Sequence, residues 1–290
     1  MLPGENEFAD NVRQELAEVF MVGQALLELA VDIVSRRLPT VSMQVQTDNT
    51  FAYRAGHALC IKACKSFRSS LLLAEVGASN DLTIISRSMF ETYVAASFVL
   101  RDHVALNLPG VNDAALTSND RARLYLAFGF INQYEELKKH KADPDTSQVL
   151  AAIDPKPFAD NANDAANDVG QAWAERFRKH PKTYSGLNLQ ELSSKLGPEY
   201  LGWHAKVYGE QSKSTHATDF PKHAFYSSSE DRFLASWFPP VDEVQQLVGI
   251  NGLMLWGCLE LLNKQFQFDE NSDADLQIYL PLFARIVGSC

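Results

Sequence analysis

The amino-acid sequence predicts an all-α fold, a single multi-helix bundle of about eight to ten helices that forms one domain over residues 1–290. Apolar residues recur at steps of three and four along most of the chain, which is the period of an amphipathic helix. No alternation of apolar and polar residues persists long enough to predict a sheet. No repeat at the period of a solenoid is visible. A chain of 290 residues can bury a large core without disulfides.

The first predicted helix runs from Glu5 to Arg37. Its apolar residues lie three and four positions apart and so form one face; they are Phe8, Val12, Leu16, Val19, Phe20, Leu26, Leu27, Ala30, Val31 and Val34. Leu38–Pro39 ends the helix, because proline cannot continue it. Gly23 is the point at which this segment would divide into two helices.

A helical hairpin is predicted to follow. Its first helix runs from Asn49 to Val76 and is closed by Gly77, and its second helix runs from Ser79 to about His103. The Ser-Asn-Asp run that opens the second helix consists of residue types that cap helix N-termini. Two helices joined by so short a turn are expected to pack antiparallel.

The second helix of this hairpin carries Arg87 and Glu91 one helical turn apart. The residues around them read as a nearly continuous buried surface: Leu82, Ile84, Ile85, Met89, Phe90 and Val94. The pattern therefore predicts that both charges are deeply buried, which is costly unless each has a partner. We expect this helix to form both the middle of the core and the floor of any site.

The remaining elements are predicted from caps, glycines and prolines. Residues 104–118 form a predicted loop, and a helix follows from Asn119 or Asp120 to His140. Residues 141–170 form a predicted exposed, acidic, partly ordered insertion within the single domain, with a short helix or two. Later elements are predicted helices at Leu187–Leu196, Glu199–Thr215, Val241–Phe266 and Leu276–Val287, and an irregular stretch at Pro221–Pro240.

The composition limits the class of protein. A formal net charge of −10 and a pI near 5.2 argue against a broad basic groove for nucleic acid, since phosphate contacts need clustered Lys and Arg. The longest apolar segments are interrupted by acidic residues, so no membrane span is expected. No secretory signal precedes the four cysteines, which predicts free thiols and a cytoplasmic location.

A polar-aromatic stripe is predicted on the helix Glu199–Thr215. Its members follow at four-residue steps and drift only slowly around a helix; they are Tyr200, His204, Tyr208, Ser212 and His216. A stripe of this kind facing a core needs partners, and Arg87 and Glu91 are the embedded charges that could supply them. The candidate ligand-binding residues are therefore Arg87, Glu91, Tyr208, Ser212 and His216. A structural hydrogen-bond network at a helix crossing and a functional pocket both fit this pattern.

Other chemistries find less support in the sequence. His57, Cys60 and Cys64 lie on one helix without the paired CxxC motif of a zinc site, so no metal is expected. The helical di-iron motif is absent, since Val94 stands where Glu91 would need a histidine. Ser212 with His216 lacks the strained elbow that exposes a hydrolase serine. No glycine-rich phosphate loop is present, and we expect no cofactor.

The segment DLTIISRSMFETYVAASFVL resembles a widespread bacterial family of all-helical proteins of uncharacterised function. The resemblance rests on Arg87 and Glu91 in an R-S-hydrophobic-F-E pattern, and on Tyr208, Ser212 and His216, which resemble the later Tyr, Ser and His motif of that family. It covers about Ala52–Arg101 and Glu199–Ala217. It implies an all-helical fold and no particular activity.

A more distant similarity is to the HEPN group of helical ribonucleases, found in toxin–antitoxin and phage-defence systems. Those proteins place an Arg four to six residues before a His and cleave RNA without metal, the His in acid–base chemistry and the Arg on phosphate. This chain departs from that spacing, because Gln211 precedes Ser212 and the cation would have to come from Arg87 on another helix.

Two functions therefore stand as hypotheses from the sequence. The first is a binding or interaction protein for a small ligand or a protein partner, in a bacterial defence or stress system. The alternative is a metal-independent, HEPN-like ribonuclease of toxin type, which would bind RNA and use His216, Arg87 and Glu91 as catalytic residues. A homo-oligomer is compatible with either.

Overall fold

The computed structural model describes residues 4–41, 43–107, 116–142, 153–179, 183–209, 224–227, 232–235, 238–268 and 270–288. The α-helices of these ranges are α1 (Glu5–Glu15), α2 (Ala17–Asp32), α3 (Met43–Asp48), α4 (Thr50–Glu75), α5 (Ser79–Leu100), α6 (Ser118–Ala142), α7 (Lys156–Val169), α8 (Gln171–Lys179), α9 (Leu189–Leu196), α10 (Pro198–Trp203), α11 (Val241–Phe266), α12 (Glu270–Gln277) and α13 (Tyr279–Gly288). Two π-helices, Ile33–Arg37 and His204–Gly209, and the 3₁₀ turn Leu38–Thr40 complete the helical elements. The predicted all-α fold is confirmed.

A short β-hairpin lies in the stretch that the sequence predicted to be irregular. Strand β1 (Ala224–Ser227) pairs antiparallel with β2 (Arg232–Ala235), with Ala224 opposite Ala235 and Ser227 opposite Arg232. Both strands are made largely of aromatic and apolar residues, which have high strand propensity. At four residues each they are shorter than the windows that reveal alternation.

The break in the first helical segment occurs at Leu16 and not at Gly23. Leu16 leaves helical geometry with φ −101° and ψ 17°, so α1 and α2 are separate helices. Gly23 instead lies buried within α2, where an added methyl group would come 2.8 Å from Leu71 Cδ2 of α4. The glycine there permits close helix packing, and the prediction of a break at this residue was wrong.

Both helices of the predicted hairpin and the short turn between them are present, and their antiparallel packing stays a prediction. Helices α4 and α5 are joined at Gly77, which has φ +69°, a left-handed conformation that only glycine adopts without strain. Gly77 N donates to Ala74 O at 2.9 Å and Ala78 N donates to Leu73 O at 3.0 Å, so the last carbonyls of α4 are satisfied. This turn fixes where α5 begins and therefore where Arg87 lies.

The Cα positions divide the chain into two compact units. Unit 1 consists of Met1–Val41, His57–Ala96 and Glu199–Cys290, and unit 2 of Ser42–Gly56 and Ser97–Pro198. The single-domain organisation that the sequence predicts stays a prediction, and each unit is described by itself.

The centre of unit 1 is α11, whose described side chains are mostly buried. It packs against α2 and α13. Asn251 of this helix is fully buried and donates from Nδ2 to Ser70 Oγ of α4 at 2.8 Å, which places one polar contact in the apolar core. Gly252 lies against the ring of Phe283 of α13. A larger residue at position 252 would force the Phe283 ring to move, so Gly252 allows α11 and α13 to pack closely.

Unit 2 is organised around α6. Helix α7 packs against it with Ala162 and Ala166 buried, so part of the range 141–170, for which an exposed insertion was predicted, contributes to this packing. Arg121 of α6 is 1% exposed and donates to the carbonyl oxygens of Phe98 and Leu116, at 2.5 and 2.8 Å. Burial lowers the pKa of this guanidinium to about 10, so it stays charged at neutral pH.

No helix within the described ranges is long and apolar enough to cross a membrane.

Candidate functional site

Within unit 1, residues 199–209 form a segment that meets α5 through three pairs of side chains. Tyr200 contacts Tyr93, His204 contacts Phe90, and Tyr208 contacts Arg87. From Tyr200 to Tyr208 the residue numbers of the segment increase, while those of the contacted residues in α5 decrease from Tyr93 to Arg87. The two elements therefore run antiparallel here. Steps of four residues in the segment match steps of three in α5.

The first pair, Tyr93 and Tyr200, anchors the start of this segment. The rings are stacked with centroids 5.1 Å apart and planes at 17°, and the two hydroxyl groups form a hydrogen bond of 3.0 Å. Gly257 of α11 leaves room for this pair, since a methyl group there would lie 2.5 Å from Tyr93 Cε2. Tyr200 is only 2% exposed, so the segment is fixed where it enters the site.

The middle pair places His204 between two aromatic rings. His204 stacks on Tyr208 with centroids 5.1 Å apart and planes at 17°, and it contacts Phe90 edge-on at 6.1 Å. Both stacked residues belong to the π-helix His204–Gly209, an uncommon element that is frequent at functional sites. Burial lowers the pKa of His204, because the charged imidazolium loses solvation there.

The third pair joins Arg87 to Tyr208 in two ways. Arg87 Nη2 donates a hydrogen bond to the Tyr208 hydroxyl, and Arg87 Cζ lies 4.0 Å over the centroid of the Tyr208 ring. Arg87 Nε is 3.5 Å from Glu91 Oε1, one turn further along α5. The sequence pattern predicts a contact from Arg87 or Glu91 to Tyr208 or His216, and the contact between Arg87 and Tyr208 is present. The use of these residues by a ligand stays a prediction.

The expectation that Arg87 and Glu91 are deeply buried was wrong. Their side chains are 34% and 45% exposed. The buried face of α5 is centred near Ser86 and Phe90, and the two charges lie at its edge; Ile84, expected to be buried, is 52% exposed. A run of apolar residues indicates that a helix has a buried face but does not show where that face ends. Charged side chains at the edge of the face remain largely solvated.

Two of the predicted site residues, Ser212 and His216, lie outside the described residues. The structure therefore brings together Arg87, Glu91 and Tyr208, and it adds His204, Phe90 and Tyr93 to the same surface. The sequence pattern predicts a core position for Phe90 and assigns no role to Tyr93. The sequence signal that could have identified Phe90 and Tyr93 is their spacing from Arg87, at steps of three residues. These steps place the three side chains on one face of α5, opposite residues 200, 204 and 208 of the segment.

Cys60, Cys64 and Cys258 of unit 1 are free and buried. Burial raises the pKa of the Cys64 thiol to about 12 and the pKa of the Cys60 thiol well above its usual value, so both remain protonated and are poor nucleophiles. Among the described residues, no group of three His, Cys, Asp or Glu side chains is placed to hold a metal ion.

A family model described as a family of unknown function, DUF5677, matches residues 53–233, more than half of the chain. The chain belongs to the DUF5677 family. The match includes nearly all of α4, the whole of α5 and every predicted site residue from Arg87 to His216. No curated protein and no solved structure shows a significant match to the chain. The DUF5677 family carries no assigned activity, so a function has to be argued from the site.

His204 gives this site of the DUF5677 chain an expected pH dependence. Its pKa is lower in the folded state than its ordinary value of 6.5, so the unfolded chain binds the proton first as the pH falls. The associated stability is therefore full above pH 6.5 and is lost as the pH falls towards the folded pKa. Urea unfolding of the wild type and His204→Phe between about pH 5 and 8 should show the wild type losing more stability on acidification. Parallel pH profiles for the two proteins would contradict this expectation.

Proposed function

We propose that this chain is a binding protein that holds its ligand at Arg87, Glu91 and Tyr208, with Ser212 and His216 as further contacts. The observation that carries the proposal is the state of Arg87, whose guanidinium is fixed by Tyr208 while a third of the side chain stays exposed. Holding an arginine in one geometry before a ligand arrives reduces the entropy lost on binding. The function that this geometry supports best is recognition of a polar ligand.

A purely structural role explains these contacts less well. The Arg87–Glu91 pair is loose and partly exposed, at 3.5 Å and 34% and 45% exposure, and an exposed pair of this kind contributes little to stability. The aromatic stacking behind it is extensive by comparison, since it runs from Phe90 through His204 to Tyr208. The stack places and orients a charged group that the fold itself hardly needs.

The setting that we propose for this binding is the bacterial cytoplasm, in a defence or stress response. The support for it is the similarity of the sequence to helical proteins of toxin–antitoxin and phage-defence systems. The proposal about the site does not depend on this setting.

The experiment is a thermal-shift screen of the purified protein against nucleotides, nucleosides, amino acids, sugar phosphates and short RNAs. At least one compound should raise the melting temperature of the wild type and fail to raise that of Arg87→Ala and His216→Ala. Arg68→Ala is the matched control, because Arg68 is an exposed arginine of the adjoining helix α4 and should leave the shift unchanged. If every stabilising compound acts equally on Arg87→Ala, the site is not where ligands bind.

Metal-independent cleavage of RNA is the second candidate, with His216 in acid–base chemistry and Arg87 on phosphate. The observation that favours it is the partly exposed guanidinium, which is open to a phosphate. Cleavage should then resist EDTA and disappear in His216→Ala. An absence of cleavage, cleavage that EDTA abolishes, or cleavage that persists in His216→Ala would exclude it.

A further inference from the structure

The aromatic stack of the site ends in a guanidinium. Phe90 contacts His204 edge-on, His204 stacks on Tyr208, and Arg87 Cζ lies over the Tyr208 ring at 4.0 Å from its centroid. The bond from Arg87 Nη2 to the Tyr208 hydroxyl restrains the guanidinium against sliding off the ring. Tyr208 thus covers part of the guanidinium, and the exposed third of the Arg87 side chain is what a ligand can reach.

A carboxylate lies beside this guanidinium. Glu91 is 45% exposed, and its Oε1 is 3.5 Å from Arg87 Nε. Within the described part of the chain, no group donates a hydrogen bond to Glu91 at ordinary hydrogen-bond geometry. An ionised carboxylate has two acceptor oxygens, so Glu91 can accept two hydrogen bonds from a ligand.

These two groups together define the chemistry of a complementary ligand. A guanidinium plane stacks well on planar heterocycles and is used in this way to bind unpaired bases. A carboxylate next to that plane selects a ring whose edge carries two neighbouring N–H donors. Guanine has such an edge, formed by N1–H and the N2 amino group. We propose, on the basis of the binding site proposed above, that the ligand is a guanine base that stacks on Arg87 and donates to Glu91.

Other ligand classes satisfy only part of this arrangement. A phosphate would pair with Arg87 but would be repelled by Glu91. Adenine offers an acceptor nitrogen next to its amino group, so it gives the carboxylate one donor and one unfavourable contact. An aliphatic zwitterionic amino acid pairs with both charges but has no planar ring to stack on the guanidinium. Guanine in a free nucleotide and guanine in single-stranded RNA share the required chemistry, and the experiment separates these two sources.

The test is isothermal titration of the full-length protein with guanosine, adenosine, GMP and inorganic phosphate, and with the RNAs UUGU and UUAU. Guanosine should bind, and adenosine about tenfold more weakly or not at all, since one charge-assisted hydrogen bond is lost. Phosphate should not displace guanosine. Tighter binding of UUGU than of GMP identifies RNA as the source of the base, and the reverse identifies a free nucleotide.

Two variants place the base on these residues. Glu91→Gln keeps the shape but offers one acceptor and a competing amide N–H, so guanosine affinity should fall about tenfold or more and the preference over adenosine should vanish. Arg87→Lys keeps the charge but removes the plane and should weaken guanosine by a similar factor. Arg68→Ala is the control and should bind like the wild type.

The outcomes that overturn the guanine proposal differ from those that overturn the site. Equal binding of adenosine and guanosine, displacement by phosphate, or guanosine binding unchanged in Glu91→Gln would overturn the guanine assignment. If an amino acid or sugar phosphate from the thermal-shift screen depends on Arg87 while guanosine does not bind, guanine is wrong and the binding site stands. If no compound depends on Arg87, both proposals are wrong.

Discussion

Replacement of Arg121 with alanine is expected to lower the free energy of unfolding by about 3–5 kcal/mol. The guanidinium is almost fully buried and serves as a donor to main-chain oxygens: Nε donates to Phe98 O at 2.5 Å, Nη1 to Leu116 O at 2.8 Å, and Nη2 to Arg101 O. Phe98 belongs to the last turn of α5 and Arg101 directly follows that helix, so their carbonyls lie where helical partners are lacking. The alanine variant would leave the carbonyls of Phe98 and Leu116 without this donor, while Arg101 O would keep only the bond from Ser118 Oγ, at 3.3 Å.

The measurement is urea unfolding of Arg121→Ala followed by circular dichroism. Lys139→Ala is the matched control, because Lys139 is an exposed cation of the same helix α6 and should change stability by less than about 0.5 kcal/mol. Arg121→Lys should lose an amount of unfolding free energy between those of Arg121→Ala and Lys139→Ala, since one ammonium group cannot reach three carbonyls. A loss of less than about 1 kcal/mol in Arg121→Ala would show that these bonds are replaced by other donors.

Arg121 also shows why part of the fold could not be predicted. Its partners are carbonyl oxygens, which every residue has, so nothing in the sequence distinguishes this arginine from the exposed cations of α6. The hairpin around Gly77 was predictable for the opposite reason. Its caps and its left-handed glycine are local signals that depend on neighbouring residue types.

The candidate site was predictable to an intermediate degree. Four-residue steps placed Tyr208 in a stripe on one face of a helix, and the charges of Arg87 and Glu91 made these two residues its expected partners. Spacing could not show that Arg87 and Glu91 lie at the edge of the buried face, which depends on how α5 is rotated against its neighbours. The π-helix at His204–Gly209 also has no established sequence signal, although it sets the stacking of His204 on Tyr208.

The contact between Gly252 and Phe283 is expected to give the second large effect on stability. Phe283 of α13 is fully buried and meets Phe67 edge-on, with centroids 6.2 Å apart. Phe283→Ala should therefore lower the free energy of unfolding by about 3–5 kcal/mol, through lost burial and the cavity that remains. Gly252→Ala should cost about 1–3 kcal/mol, because the new methyl group would lie 2.6 Å from Phe283 Cζ and the ring has to move.

A double-mutant cycle tests whether these two residues act on each other directly. In the double variant the added methyl group no longer meets a ring, so the cost of Gly252→Ala should disappear. The loss of unfolding free energy in the double variant should then be smaller than the sum of the two single losses by about 1 kcal/mol or more. Gly129→Ala is the control for helix propensity: no atom lies within 4 Å of its new methyl group, so it should stabilise α6 by up to about 1 kcal/mol. If the two single losses of unfolding free energy add up to the loss of the double variant within about 0.5 kcal/mol, Gly252 and Phe283 do not act on each other directly. Residues whose packing is coupled through one ring should give losses that are not additive.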